Sequence, residues 1–112
     1  MSDFTSGWAT HVGRVRRDNE DACYVGRRVW AVADGMGGHA AGEVASALAV
    51  DAMAELDAAD GVLTRDAVVE AVQRANDHLL EHGGRQREAR GMGTTLTGVA
   101  LVEQDGEERL CV

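Results

Sequence analysis

The run Val29-Trp30-Ala31-Val32-Ala33-Asp34-Gly35-Met36-Gly37-Gly38-His39-Ala40-Ala41-Gly42-Glu43 constrains this chain more than any other stretch. An apolar strand stops on an acid, a glycine-rich turn follows, and a helix begins. That arrangement holds one carboxylate and one bare backbone carbonyl at the mouth of a sheet, a metal site in outline. Two further stretches stand out on either side of it: Asn19-Glu20-Asp21 upstream and Gly91-Met92-Gly93-Thr94-Thr95 downstream.

The surrounding periodicities mix strand and helix. Residues 8–12 alternate weakly and are expected to form a strand. Residues 22–25 and 29–33 read as two strands joined by the turn Gly26-Arg27-Arg28. A helix is expected from about Ala41 to Ala58, with Val44, Leu48, Ala52 and Leu56 four apart and Ala45, Ala49 and Met53 beside them. Thr64 is placed to cap a second helix, and Asp66 falls in its favourable first turn. Val68, Val72, Ala75 and Leu79 form its stripe, and Gly83-Gly84 is expected to end it. From Thr94 the period changes to two. Asp105-Gly106 then marks a hairpin turn into Arg109-Leu110-Cys111-Val112. A strand left there without a neighbour is an exposed edge, so residues 1–112 are expected to be the N-terminal part of one longer domain.

Composition narrows the partners. The 112 residues, 45% of them apolar, suffice for one small core. A net charge of −8 repels a phosphate-rich polymer, so nucleic acid is not an expected partner. A phosphorylated ligand would need a local positive centre, either a metal or arginines such as Arg14, Arg16 and Arg17. No apolar run approaches the roughly 18 residues of a membrane span. The start lacks the basic and apolar regions of a signal peptide, so a cytoplasmic location is expected. Cys23 and Cys111 are isolated thiols, without the spacing of a zinc site or a disulfide framework.

Each acid taken alone has a plain structural reading. Asp34 at a buried strand end would be costly without a partner, yet turn and cap aspartates are common there. Adjacent acids such as Glu20 and Asp21 usually form a solvated surface. Jointly they suggest more, because two acidic loops next to short strands can converge at one sheet edge. Three carboxylates at one point need a divalent cation, and all-oxygen ligands favour magnesium, manganese or calcium over zinc. Gly35 would let its carbonyl face the ion. His39 is open to two readings, a donor to phosphate or metal-bound water and a helix-start residue. The glycines also fit the dinucleotide fingerprint G-x-G-x-x-[GA]. Against that fit, Asp34 would set negative charge beside a pyrophosphate, and strands already precede the motif.

Three motifs carry a resemblance to a known family. They are Gly13-Arg14-Val15-Arg16-Arg17-Asp18-Asn19-Glu20-Asp21, the stretch 32–46 around Asp34-Gly35-Met36-Gly37-Gly38-His39, and Gly91-Met92-Gly93-Thr94-Thr95-Leu96. In this order they resemble the metal-dependent PPM (PP2C-type) serine/threonine protein phosphatases in their bacterial form. The resemblance implies an α+β fold, a PP2C-like sandwich of two antiparallel β-sheets flanked by helices, of which this would be the N-terminal portion. It also implies that Asp34 bridges two Mn2+ or Mg2+ ions, that the carbonyl of Gly35 is a direct ligand, and that Glu20 and Asp21 hold the metals through water. Arg16 would grip the substrate phosphate. Thr94 and Thr95 would brace the strand behind the site. Met36 stands where eukaryotic members carry a histidine, which leaves His39 or solvent to supply the proton.

The implied chemistry is attack of a metal-activated water on phosphoserine or phosphothreonine of proteins, in a pathway opposing a serine/threonine kinase. Further metal ligands of the family, a Gly-Asp-Ser motif and two later aspartates, have no counterpart in these 112 residues, so the chain by itself is expected to be inactive. The alternatives are a non-catalytic module that binds phosphopeptide or a partner and, more remotely, a dinucleotide-binding protein.

Overall fold

The computed structural model describes residues 5–14, 19–37, 41–85 and 91–112. Strands β1 (Asp21–Val25) and β2 (Val29–Met36) form a hairpin. Helix α1 (Ala41–Ala58) follows, then α2 (Arg65–Arg85). The chain returns to the sheet as β3 (Gly93–Thr94), β4 (Thr97–Gln104) and β5 (Glu107–Cys111). The sheet order is β1-β2-β4-β5, β3 also pairs with β2, and every pairing is antiparallel. An antiparallel sheet offers no parallel βαβ crossover, and this removes the dinucleotide reading.

The α+β class therefore holds. Of the two sheets that the resemblance implies, the described residues form one, with both helices on one of its faces. The 18 Å short dimension is that of two layers.

Strand alternation decides which side chains meet the helices. Val29, Ala31, Ala33 and Gly35 of β2 are buried, as are Ala100 and Val102 of β4. Against them α1 sets Ala45, Ala49, Ala52, Met53 and Leu56. The helix is rotated from the expected stripe: Val44 is exposed and Leu48 half-buried, while the alanines beside them face inward. Small residues on both surfaces let helix and sheet approach closely, and larger side chains close the rim. The same shift occurs on α2, where Ala71 and Ala75 are buried and Val72 is exposed.

Thr64 caps α2 as expected, its Oγ1 accepting the Ala67 N–H at 3.1 Å. Gly83-Gly84 does not stop the helix, which runs on to Arg85. Residues 8–12 carry no regular secondary structure. Residues 5–12 instead lie over the outer sheet face, where Trp30 Nε1 donates to Ser6 Oγ at 3.3 Å. The Asp105-Gly106 turn is built as read, with φ of 53° and 76°, and Gln104 is paired to Glu107 across it.

At the closed end of the β1–β2 hairpin, Asp57 from the last turn of α1 is 5% exposed. It accepts hydrogen bonds from Tyr24 Oη at 2.6 Å and from the N–H groups of Arg27 and Arg28 at 3.0 Å each. Arg28 Nε lies 3.5 Å from Asp57 Oδ1 as an ion pair. The guanidinium also donates to the carbonyls of Asp57, Ala59 and Gly61, closing the carbonyl end of the helix. Burial alone would raise the Asp57 carboxyl; the Tyr24 hydroxyl, the two backbone N–H groups and the Arg28 guanidinium outweigh it, and the carboxyl lies below its ordinary value. The hydrogen bond to Asp57 pushes the Tyr24 hydroxyl up, with burial adding to it.

Candidate functional site

The open end of the same hairpin gathers acids. The register pairs Asp21 of β1 directly with Asp34 of β2. Opposed residues of an antiparallel pair share a face, so both carboxylates stand on the outer face, away from the helices. Both residues are exposed, and both line a cavity of about 210 Å³ together with Thr10 and Thr95. Asp34 was expected to end a buried strand. Instead β2 continues two residues beyond it to Met36, and the period of two carries Asp34 outward. The penalty at this position is therefore the repulsion of like charges set opposite each other, not burial. Among the described residues, neither carboxylate takes part in a hydrogen bond or ion pair within the chain.

The backbones of both acids are held from outside their own hairpin. Asn19 Oδ1 accepts the Asp21 N–H at 3.0 Å, and Asn19 Nδ2 donates to Thr10 Oγ1 at 2.8 Å. On the other flank, the Thr95 N–H donates to the Asp34 carbonyl at 2.9 Å. The Asp34 N–H does not reach the Thr95 carbonyl of a regular ladder. It donates to Thr95 Oγ1 at 3.1 Å, while the Thr94 hydroxyl occupies the Thr95 carbonyl at 2.7 Å. Thr94 closes β3 and Thr95 follows it, and together their hydroxyls replace one rung of the sheet opposite Asp34. That is the bracing expected of them.

Glu20 takes the other side. Its carbonyl accepts the Gly35 N–H at 3.0 Å, continuing the hairpin ladder. Its carboxylate lies against Gly42 in the first turn of α1, where a Cβ on Gly42 would stand 2.7 Å from Glu20 Cδ. Adjacent residues of an extended chain point to opposite faces, so Glu20 and Asp21 do not converge. The described residues bring two carboxylates together, not three, and among them no group of three or more His, Cys, Asp or Glu side chains is placed to hold an ion. Glu20 has a different favourable setting, the positive end of a helix.

Gly35 is required for a reason that the sequence did not show. A Cβ there would stand 1.9 Å from the carbonyl oxygen of Gly42, inside its van der Waals surface. Gly35 and Gly42 thus let the acid-bearing end of β2 sit directly on the start of α1. Gly37 has φ of 145°, a conformation open to glycine. Arg16 and His39 lie outside the described residues. Cys23 and Cys111 are both free and half-buried. Among the described residues, no helix is long and apolar enough to cross a membrane.

The donor set at the open end is all oxygen, and among the described residues no ion pair compensates its charge. A hard divalent cation fits both properties.

Comparison with known proteins agrees with the fold and the motifs. The profile of the family described as Protein phosphatase 2C matches residues 9–111. The chain is 46% identical over 91 residues to the serine/threonine protein phosphatase PstP of Mycobacterium tuberculosis, which covers 78% of this chain and 17% of PstP. It is 38% identical over 109 residues to the protein phosphatase PhpP of Streptococcus pneumoniae, covering 84% of this chain and 42% of PhpP. Among solved structures, the catalytic domain of PstP in complex with two manganese ions superposes with a TM-score of 0.78 at 36% identity. That match covers 93% of this chain and 53% of the solved domain. The chain thus spans about half of that catalytic domain and less than half of PhpP.

Proposed function

This chain belongs to the protein phosphatase 2C family, and from that premise we propose that it serves metal-dependent hydrolysis of phosphoserine and phosphothreonine on proteins. Residues 1–112 are read as the N-terminal part of one such catalytic domain. The observation that carries this reading is the Asp21–Asp34 pair, two opposed carboxylates with no partner in the chain among the described residues.

As the family resemblance implies, Asp34 and the Gly35 carbonyl would hold Mn2+ or Mg2+ directly, with Asp21 and Glu20 acting through water. A bound cation of this kind lowers the pKa of its water and neutralises charge on a phosphoryl group. The chain's own residues set the stage for that chemistry. Thr95 and Asn19 fix the two acid backbones. Gly35 and Gly42 bring the start of α1 against them. Arg16 would orient the phosphate by its planar fork of donors, and His39 or solvent would return a proton to the leaving serine or threonine. A serine/threonine kinase acting on the same proteins would supply the substrate, and a cytoplasmic setting suits that exchange.

Manganese binding tests the reading. Mn2+ titration of the 112-residue chain, followed by electron paramagnetic resonance, is expected to show binding that Asp34→Asn abolishes. The same chain is expected to turn over a phenyl phosphate negligibly. An unchanged Mn2+ titration in Asp34→Asn would defeat the metal assignment. Robust turnover lost on Asp34→Ala would defeat the view that this part is inactive alone.

A further inference from the structure

In the helix layer, across the sheet from the acid pair, α2 carries His78-Leu79-Leu80-Glu81-His82. Residues four apart on a helix lie on one face with Cβ atoms about 5–6 Å apart. Here that face is not flush with its surroundings. His78, Glu81 and His82 line a cavity of about 120 Å³ against Leu48 of α1. His78 is exposed and His82 half-buried, so the rings are reachable from solvent while one wall of the cavity is apolar.

We propose that His78 and His82 form a binding site for one nitrogen-seeking divalent transition ion, of the class of Zn2+, Ni2+ and Cu2+. Two imidazoles one helical turn apart are the presentation used by helical zinc sites, with Zn–N bonds of about 2.0–2.1 Å. Imidazole selects this class of ion, whereas the all-oxygen pair at Asp21 and Asp34 selects Mg2+ and Mn2+. The two sites therefore sort different metals, and the second does not depend on the phosphatase reading. With two protein ligands, water completes the shell. This is a binding site, not a hydrolytic centre.

Its consequence falls on the end of α2. The helix runs on through Gly83-Gly84 to Arg85, and each glycine costs about 1 kcal/mol against alanine in a helix. An ion bridging His78 and His82 ties together the turn just before those glycines, and a ligand that binds only the folded turn stabilises it.

Isothermal titration of the 112-residue chain with Zn2+ tests the proposal, alongside hydrogen exchange of the amides at 79–85. One Zn2+ is expected to bind and to slow exchange at 79–85. Both effects are expected to be lost in His78→Ala and in His82→Asn, and kept in His11→Ala, whose ring already accepts the Gly13 N–H. Circular dichroism confirms that each variant is folded, and the exposed His78 gives a change with little demand on packing. Zn2+ binding retained in both variants, lost equally in His11→Ala, or absent from the folded chain would each overturn the site.

Discussion

The β1–β2 hairpin has an acid site at each end, and the two are treated in opposite ways. At the closed end, Asp57 is 5% exposed and meets a hydroxyl, two backbone N–H groups and a guanidinium. At the open end, Asp21 and Asp34 are exposed, and among the described residues only their backbones are held. A buried charge is tolerated when the chain itself supplies every partner. An exposed pair of like charges, fixed in register, keeps its coordination capacity for something outside the chain. The contrast separates a carboxylate that serves the fold from a pair that, on the proposed reading, would serve a ligand.

Three changes press on that contrast, the most damaging first. Asp57→Ala removes the acceptor of the Tyr24 hydroxyl and of two backbone N–H groups in a buried site and leaves the Arg28 charge with carbonyl partners alone, and is expected to cost about 3 kcal/mol or more of folding free energy in urea denaturation. A loss below about 1 kcal/mol would mean that the closed end is not a saturated structural site.

Tyr24→Phe is milder, at about 2 kcal/mol for one hydrogen bond to a charged group, and its signature is in pH. The folded Tyr24 hydroxyl lies above its ordinary value of 10.0. Its contribution is therefore complete below 10.0 and fades as pH rises through the raised value. The folded Asp57 carboxyl lies below its ordinary value of 3.8, so its contribution is present above 3.8 and fades as pH falls through the lowered one. Tyr24→Phe is expected to remove the alkaline loss and to shrink the acid loss, as read by thermal melts across pH. An alkaline arm that persists in the variant would assign it to another group.

Asp34→Asn should move stability least and in the opposite direction. Relieving the charge opposite Asp21 is expected to stabilise the metal-free chain by a few tenths of a kcal/mol. Melting in the presence of a chelator measures it, and a loss of 1 kcal/mol or more would make Asp34 a structural residue like Asp57.

Much of this architecture was legible beforehand because it follows from local rules. The bounds of α1, the β1–β2 hairpin, the Thr64 cap and the Asp105-Gly106 turn are each set by residues within one or two turns of chain. Register then follows, since the short hairpin turn places Asp21 against Asp34. What escaped depends on distant surfaces. The choice of alanines over Val44 and Leu48 for the inner face of α1 is made by a sheet that is itself alanine- and glycine-lined, and periodicity alone cannot weigh one flank against the other. The outward turn of Asp34 and the divergence of Glu20 from Asp21 follow from a strand that extends two residues past the acid, which the glycines concealed. Residues 8–12 alternate like a strand but find no strand to pair with among the described residues. The Asp57 network carries one signal in the sequence: an acid in the last turn of a helix opposes its dipole, so donors must arrive from elsewhere.

The alanine seam between α1 and β2 has a consequence for the geometry of the acids. Ala31, Ala33 and Gly35 of β2 alternate with Val32 and Asp34, so each inward residue is a direct neighbour of an outward one. Ala45 and Ala49 of α1 are buried along with them, and at Gly35 an added methyl group would stand 1.9 Å from the Gly42 carbonyl oxygen. Growth of the interior would be transmitted through the strand and would appear on the opposite surface as a change in the gap between Asp21 and Asp34. The smallness of the hidden side chains would thus act as a gauge block, setting from behind the spacing of the two acids.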